Sequence, residues 1–416
     1  MFGDLFTTCH AGIVTHHHAI EPAEGPPRPR LAWSLTAAVL AVALVAFGAV
    51  AALWPDPDDV PQGADPYGAV AILDATVTEV TPFDCNSTGT GPDNIPMVEG
   101  SCANVTAETE RGTSAVFTLD PTRYVGGAVQ EGDDIRVIEV APDGQQPTYE
   151  FYDHQRGPQL MILAIVFAIL VAVVGRWRGL FALVGIGITL LVLLRFVLPA
   201  LLADQPPIAV AVAGSTVIML AVLYLAHGVS IRTTAALFGT LFGIGFTALV
   251  GAMSTDWAHL TGVGSEDDHL LLATAPQMSL AGVVAASMVI AGLGVLNDVT
   301  VTQASAVWEM RALKPTAGRA ELFGSAMRIG RDHIASSVYT LVFAYAGTAM
   351  TTLLLISAYQ RPLLEVAVTE GIAQEVVRTL VGAIGLVLAV PITTVIAVWL
   401  APARIAERDL SGVNTP

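Results

Sequence analysis

Eight apolar runs, each close to the ~20 residues that carry a helix across a bilayer, punctuate the 416-residue chain. They cover residues 31–53, 159–175, 179–198, 207–226, 233–253, 279–296, 334–358 and 376–400. The segment 54–158 reads differently. Its stretches 69–81, 103–110, 113–119, 134–140 and 148–152 are rich in Val, Ile and Thr and are parted by Gly, Pro and Asp turns, the mark of short strands. Polar Asp134 and Arg136 alternate with apolar Ile135 and Val137, which puts the two kinds on opposite faces of a strand. The pattern predicts a polytopic α-helical membrane protein of about eight transmembrane helices with an inserted small β domain, a barrel or sandwich. An oligonucleotide/oligosaccharide-binding type barrel is the preferred form. The predicted organisation is a disordered tail over 1–30, a first transmembrane helix over 31–53, the β domain over 54–158, a seven-helix transmembrane domain over 159–400 and a tail over 401–416.

Composition supports the membrane class, since 53% of residues are hydrophobic and 13% charged, against about 25% charged in soluble domains. The net charge of -17 is concentrated: residues 54–158 hold 19 acidic and 4 basic side chains, a balance of -15. Those acids, Asp56, Asp58, Asp59, Asp133 and Asp134 among them, read either as an attractor of cations or basic peptides or as a solvated surface that keeps the segment soluble. Lys314 is the single lysine beside 18 arginines, a bias we associate with a high-GC bacterial genome. Arg28 and Arg30 precede the first run and no small-residue cleavage site follows it, so an uncleaved signal anchor is expected. With eight crossings, twelve basic residues fall on one side of the membrane and three, Arg195, Arg361 and Arg378, on the other. The richer side is cytoplasmic by the positive-inside rule, so both termini are expected in the cytoplasm and 54–158 outside it, in a bacterial plasma membrane. Cys85 and Cys102, the two cysteines of that outer segment, are predicted to be bonded, and Cys9 is left over.

The sharpest chemical signal follows the sixth run, where the chain turns to Asn297, Asp298, Thr300, Thr302, Gln303 and Ser305. Carboxylate, amide and hydroxyl oxygens beside the helix-weakening Gly292 and Gly294 suit a site for a cation or proton at an interrupted helix, at the cytoplasmic end of the span. The plainer alternative is that Asn297 and Asp298 end the span and Asp298 caps a following amphipathic helix reaching Leu313. Arg328, Arg331, Asp332 and His333 precede the seventh run. Either Arg328 and Arg331 bind lipid head groups or a phosphorylated ligand while Arg331 or His333 pairs with Asp298 to gate an inner vestibule, or Asp332 caps the seventh span and the arginines are positive-inside anchors. The loop 254–274 carries Asp256, His259, Glu266, Asp267, Asp268 and His269 without the tight ligand spacing of a zinc site, and reads as a polar hairpin or short interfacial helix with Trp257 as anchor. No metal site is predicted, His16, His17 and His18 being read as part of a mobile tail. Arg195 is expected to snorkel or to pair with Asp204 or Asp256. Gly239, Gly243 and Gly251 are spaced for close helix packing, within the chain or between copies.

Four stretches carry a family resemblance: His227 to Thr240 (HGVSIRTTAALFGT), Gly294 to Val299 (GVLNDV), Ile329 to Asp332 (IGRD), and Thr340-Leu341 with Ala344 to Gly347 (AYAG). In order and spacing over 159–400 they resemble the YibE/F family of bacterial multi-pass membrane proteins, with Asp298 and Gly330 to Asp332 at its most characteristic positions. The outer β segment resembles the soluble portion of the same family. The resemblance implies family membership and a permease-like role, and it brings no biochemical activity to transfer.

No Gly-x-Ser-x-Gly elbow, phosphate-cradling loop ending in Lys-Ser or Lys-Thr, or His-Glu-x-x-His helix occurs, so no enzyme activity and no cofactor are expected. Two readings remain. One is a permease or channel-like protein, coupled to protons or a cation, with an inner site of Asn297, Asp298, Thr300, Thr302, Gln303, Arg331 and Asp332. The other is an envelope interaction or scaffold protein whose outer β domain binds a protein partner or cell-wall component. The expected partners are the lipid bilayer, a small solute or ion, and that envelope component, with no nucleic acid.

Overall fold

The structure, a computed structural model, describes residues 29–61, 70–85, 100–124, 129–140, 146–360 and 362–402. Nearly all of both predicted tails, with Cys9, His16 to His18, Arg404 and Arg408, lies outside the described residues. The chain forms two compact units, one of Gln62–Leu180 and one of the residues before and after it.

The smaller unit holds five strands, β1 (Ala71–Asp84), β2 (Ser101–Thr109), β3 (Ser114–Leu119), β4 (Asp134–Val140) and β5 (Thr148–His154), with a single helical turn, α2 (Pro121–Tyr124), before β4. They make one antiparallel sheet in the order β3-β2-β1-β4-β5. Of the two expected forms, two packed sheets are not found among the described residues. Register shifts between Val77 and Glu79 and between Arg136 and Val137 bend the strands, as bulges do. The sheet curls until its two edges meet: the Phe117 ring of β3 lies 6.2 Å from that of Phe151 on β5, and the Thr113 and Tyr149 hydroxyls approach to 3.5 Å. Leu73, Val77, Val105, Phe117, Leu119, Ile135 and Val137 fill the concave side, so the alternation read at Ile135 and Val137 is the inward face of β4. Cys85 and Cys102 are joined by a disulfide.

The larger unit begins with α1 (Pro29–Ala52). α3 (Gly157–Val192), whose residues up to Leu180 belong to the smaller unit, continues through a π-helical turn, Leu193–Val197, into α4 (Leu198–Leu202). There follow α5 (Pro207–His227), α6 (Ile231–Trp257), the short α7 (Glu266–Thr274), α8 (Leu280–Leu313), α9 (Arg319–Thr348), α10 (Met350–Ala358), α11 (Leu363–Ala367) and α12 (Glu370–Leu400). Six helices among the described residues are long and apolar enough to cross a membrane, or seven if α9 and α10, bent by 65°, form one span. Their number and apolarity fit a multi-pass membrane protein.

Two of the expected runs, 159–175 and 179–198, are joined in one helical stretch of 46 residues, about 69 Å if straight and more than twice the ~30 Å hydrocarbon core. Arg176, at φ 52° and ψ -137°, is not helical, so the stretch is two helices that meet at a kink between the two expected runs. The chain doubles back there, so that a Cβ on Gly179 would overlap the carbonyl of Val171, eight residues earlier.

The sixth run also runs past its expected end. α8 passes without a break through Asn297 and Asp298 to Leu313, so Asp298 caps nothing and Gly292 and Gly294 do not interrupt the helix. Asp332 is likewise no cap: α9 starts at Arg319 behind Gly318 and carries Asp332 in its interior.

α6, α8 and α12 pack against one another, with α5 on α6 and α8, α9 on α8 and α12, and α1 on α5. The α6 glycines allow the close approach. Gly239 receives Thr393, Gly243 receives Leu296, and Gly251 faces Met288, so these glycines serve packing within the chain. After α6 the chain folds back onto the bundle: Leu260 is buried with Val284, Met288 and Val381, and the Thr261 and Gly262 amides donate to Glu370 Oε1 at 2.8 and 3.0 Å. Gly262, at φ 84°, presses on Leu280, where a side chain would collide with backbone.

Candidate functional site

Because α8 stays helical through the polar run, its side chains fan out by 100° per residue and meet different neighbours. Thr300 and Gln303 turn inward and are fully buried, at 0% and 2% exposure. The Thr300 hydroxyl meets that of Thr240 on α6 at 2.7 Å. Thr240 Oγ1 also donates to Ala236 O at 3.0 Å and Thr300 Oγ1 lies 3.3 Å from Asn297 O. Two hydroxyl protons thus serve the contact between them and one helix carbonyl, which leaves no bare polar atom there.

Gln303 ties three helices. Its Nε2 donates to Ala326 O on α9 at 3.0 Å and to Thr394 Oγ1 on α12 at 2.7 Å, and Thr394 passes its own proton to Val390 O at 2.7 Å. Two further hydroxyls of the same helices, Thr247 on α6 and Thr393 on α12, are buried without a hydrogen-bond partner, each held over a glycine of the facing helix, Gly385 and Gly239. The result is a polar seam inside an otherwise apolar three-helix contact. Sequence reading missed its α6 and α12 members. Thr233, Thr240 and Thr247 recur every seven residues, close to two turns, and that period was the available signal.

Asp298 turns the other way and is 68% exposed on the side of α8 that faces α9. Its Oδ2 lies 3.4 Å from His333 Nε2, whose ring is 28% exposed. The contact meets the distance of an ion pair but not the geometry of a hydrogen bond, so Nε2 is buried and unpartnered. Asn297 Oδ1 is also buried without a partner, and Thr302 is half-buried. Arg331 and Asp332 are exposed on α9 and do not join the seam, so of the two expected partners of Asp298 the structure brings His333 and not Arg331. Arg328 bonds locally to Ser325. No ion pair joins Arg195 to Asp204 or Asp256 among the described residues.

Elsewhere the acids have structural duties. In the loop 254–274, Asp268 forms a capping box with Ser265 at the start of α7. Burial works against its ionisation, but hydrogen bonds from the Ser265 hydroxyl and the Gly264 and Ser265 amides prevail and hold its carboxyl below the ordinary value. On the curled sheet, Asp74, Glu108, Glu110 and Asp134 line an open groove with Gln155. Asp74 there is engaged by Arg136 at 3.5 Å and by Gln155 Nε2 at 3.1 Å.

No curated protein and no solved structure matches the chain. The family model described as YibE/F-like protein matches residues 163–403, more than half the chain and the whole of the seam. The protein belongs to the YibE/F-like family.

Proposed function

We propose that the protein is a permease- or transporter-like membrane protein with a polar site at the cytoplasmic end of its sixth span, where Thr300 and Gln303 enter the α6–α8–α12 seam and Asn297, Asp298, Thr302, Arg331 and Asp332 lie on α8 and α9 beside it. The observation that carries this is that the polar run lies inside a 34-residue helix, about 51 Å long, and aims Thr300 and Gln303 at three other helices, α6, α9 and α12. Polar groups inside a membrane bundle are costly unless paired, and where they are kept they often mark a pathway. Counting the kinked α3 as two crossings and α9 with α10 as one gives eight, with both termini in the cytoplasm of a bacterial cell and the β sheet outside, where its disulfide persists. We assign no enzyme activity and no nucleic-acid partner. Solute or proton flux into vesicles reconstituted with the wild-type protein and with Asp298→Asn tests the reading. A flux lost in the variant supports it, and equal flux in both or none in either overturns it.

A second reading is favoured by a separate observation: the curled sheet has its own core, its own disulfide and an acidic groove. Five strands with β3 brought to β5 suit an oligonucleotide/oligosaccharide-binding type barrel, so the outer unit is proposed to bind a basic envelope protein or a cell-wall component. Deleting residues 56–154 separates the two: an envelope phenotype with flux intact favours the interaction role.

A further inference from the structure

We infer that Asp298 and His333 form a proton-binding pair on the α8–α9 face. As the coupling site of a permease the pair rests on the reading proposed above; as a proton site it stands or falls by its own chemistry. Ionisable groups are scarce around it. α8 has no other from Leu280 to Trp308, α5 only Tyr224 and His227 at its end, α6 none between Arg232 and Asp256, and α12 none after Arg378. On α9 the neighbours Arg331 and Asp332 point to the exposed side and Arg328 is tied to Ser325. Asp298 and His333 are therefore the facing charges of this layer, on the outside of the bundle and not within its core.

An ionised carboxylate on an apolar membrane-spanning helix is expensive, and protonation or a cationic partner relieves that cost. Both remedies are the same event here. A proton taken up on His333 Nε2 forms one N–H bond and makes an imidazolium that donates to Asp298 Oδ2; taken up on Asp298 it forms one O–H bond that donates to Nε2. At 3.4 Å the atoms stand about half an ångström beyond a charge-assisted hydrogen bond, and Nε2 is buried without another hydrogen-bond partner, so a shared proton is the link that would draw the two together. A metal cation fits less well. It needs about six oxygen ligands, whereas the Thr300 hydroxyl is committed to Thr240 and an imidazole fills the opposite side.

The test uses the full-length protein in phospholipid vesicles and a membrane-soluble carbodiimide, which attacks protonated carboxyls in apolar surroundings; mass spectrometry of the peptide containing Asp298 reads the yield. Labelling of Asp298 should rise as the pH is lowered. His333→Gln removes the cationic partner and should extend labelling upward by ~1 pH unit, while His333→Lys keeps a positive charge and should move it downward. Opposite shifts cannot come from misfolding. No labelling at any pH, the same profile in all three proteins, or protection by sodium or potassium overturns the proton site. Labelling without flux supports the pair and removes the permease reading; flux without labelling does the reverse.

Discussion

Gly330 of α9 is the opening through which Gln303 of α8 reaches a helix carbonyl. Ala326 O already serves the α9 ladder, whose next turn bonds Gly330, and Gln303 Nε2 takes its second lone pair at 3.0 Å. A Cβ at Gly330 would sit 3.0 Å from Gln303 Oε1 and 2.8 Å from Val390 Cγ1. Gly330→Ala should therefore cost about 1–3 kcal/mol despite the better helix propensity of alanine. Gly324→Ala is the matched control, since nothing lies within 4 Å of its Cβ, and it should be neutral or slightly stabilising. Melting in detergent reads both, and equal melting of the two variants would show that the gap at Gly330 is not needed.

Gly239 and Thr393 give a sharper clash. A Cβ on Gly239 would overlap Thr393 Oγ1 and lie 2.8 Å from Thr393 Cβ, and a β-branched side chain has little room to rotate away. Gly239→Ala should be more damaging than Gly330→Ala, and Thr393→Gly in the same chain should restore most of the loss. The double-mutant cycle reads the coupling directly, and additive effects would mean that α6 and α12 do not touch at this point.

How much of this was readable in advance depends on which environment a side chain meets. The strand 134–140 coincides with β4 because alternation reports a two-sided sheet, one face on the core. The sixth span was expected to stop at Leu296 because hydropathy measures transfer into lipid, and Asn297, Asp298 and Thr300 score as if they left it. Thr300 and Gln303 never meet lipid: they meet Thr240, Ala326 and Thr394, and helix contacts satisfy them where they stand. Asp298 was singled out with two candidate partners, and which of them faces it turns on rotation and not on charge. Arg331 precedes His333 by two residues, about 200° around α9, and only one of those directions faces α8.

The loop behind α6 is held by one carboxylate. Glu370 Oε1 accepts from the Thr261 and Gly262 amides and from Gln374 Nε2 at 3.0 Å, which binds the loop to the start of α12 over the same three helices that carry the seam. Glu370→Ala should raise amide exchange of residues 258–265 at least tenfold, with little change in the seam-facing residues of α8. Glu370→Gln, which keeps an acceptor oxygen, should lie between. Unaltered exchange in Glu370→Ala would mean that Leu260, buried beneath the loop, holds it alone.

Asp120 gives the β unit an acid-sensitive corner. Its Oδ1 accepts from the Thr122 hydroxyl and from the Thr122 and Arg123 amides at 2.8 and 3.0 Å, fixing the turn that starts α2. The Thr122 hydroxyl is the chief cause that holds its carboxyl below the ordinary value; burial opposes this, and the two amides and the Arg123 charge add to it. A folded value below the unfolded one means that the ionised form binds the turn. The stabilisation is complete above the ordinary carboxyl value of about 4 and is lost as the pH falls through the depressed folded value. Protection factors of the Thr122 and Arg123 amides in the full-length protein should thus hold steady at neutral pH and drop in strong acid. Asp120→Asn should flatten the profile, and Thr122→Val should move the drop to higher pH. A wild-type profile as flat as that of Asp120→Asn would show that the charge of Asp120 does not support the turn.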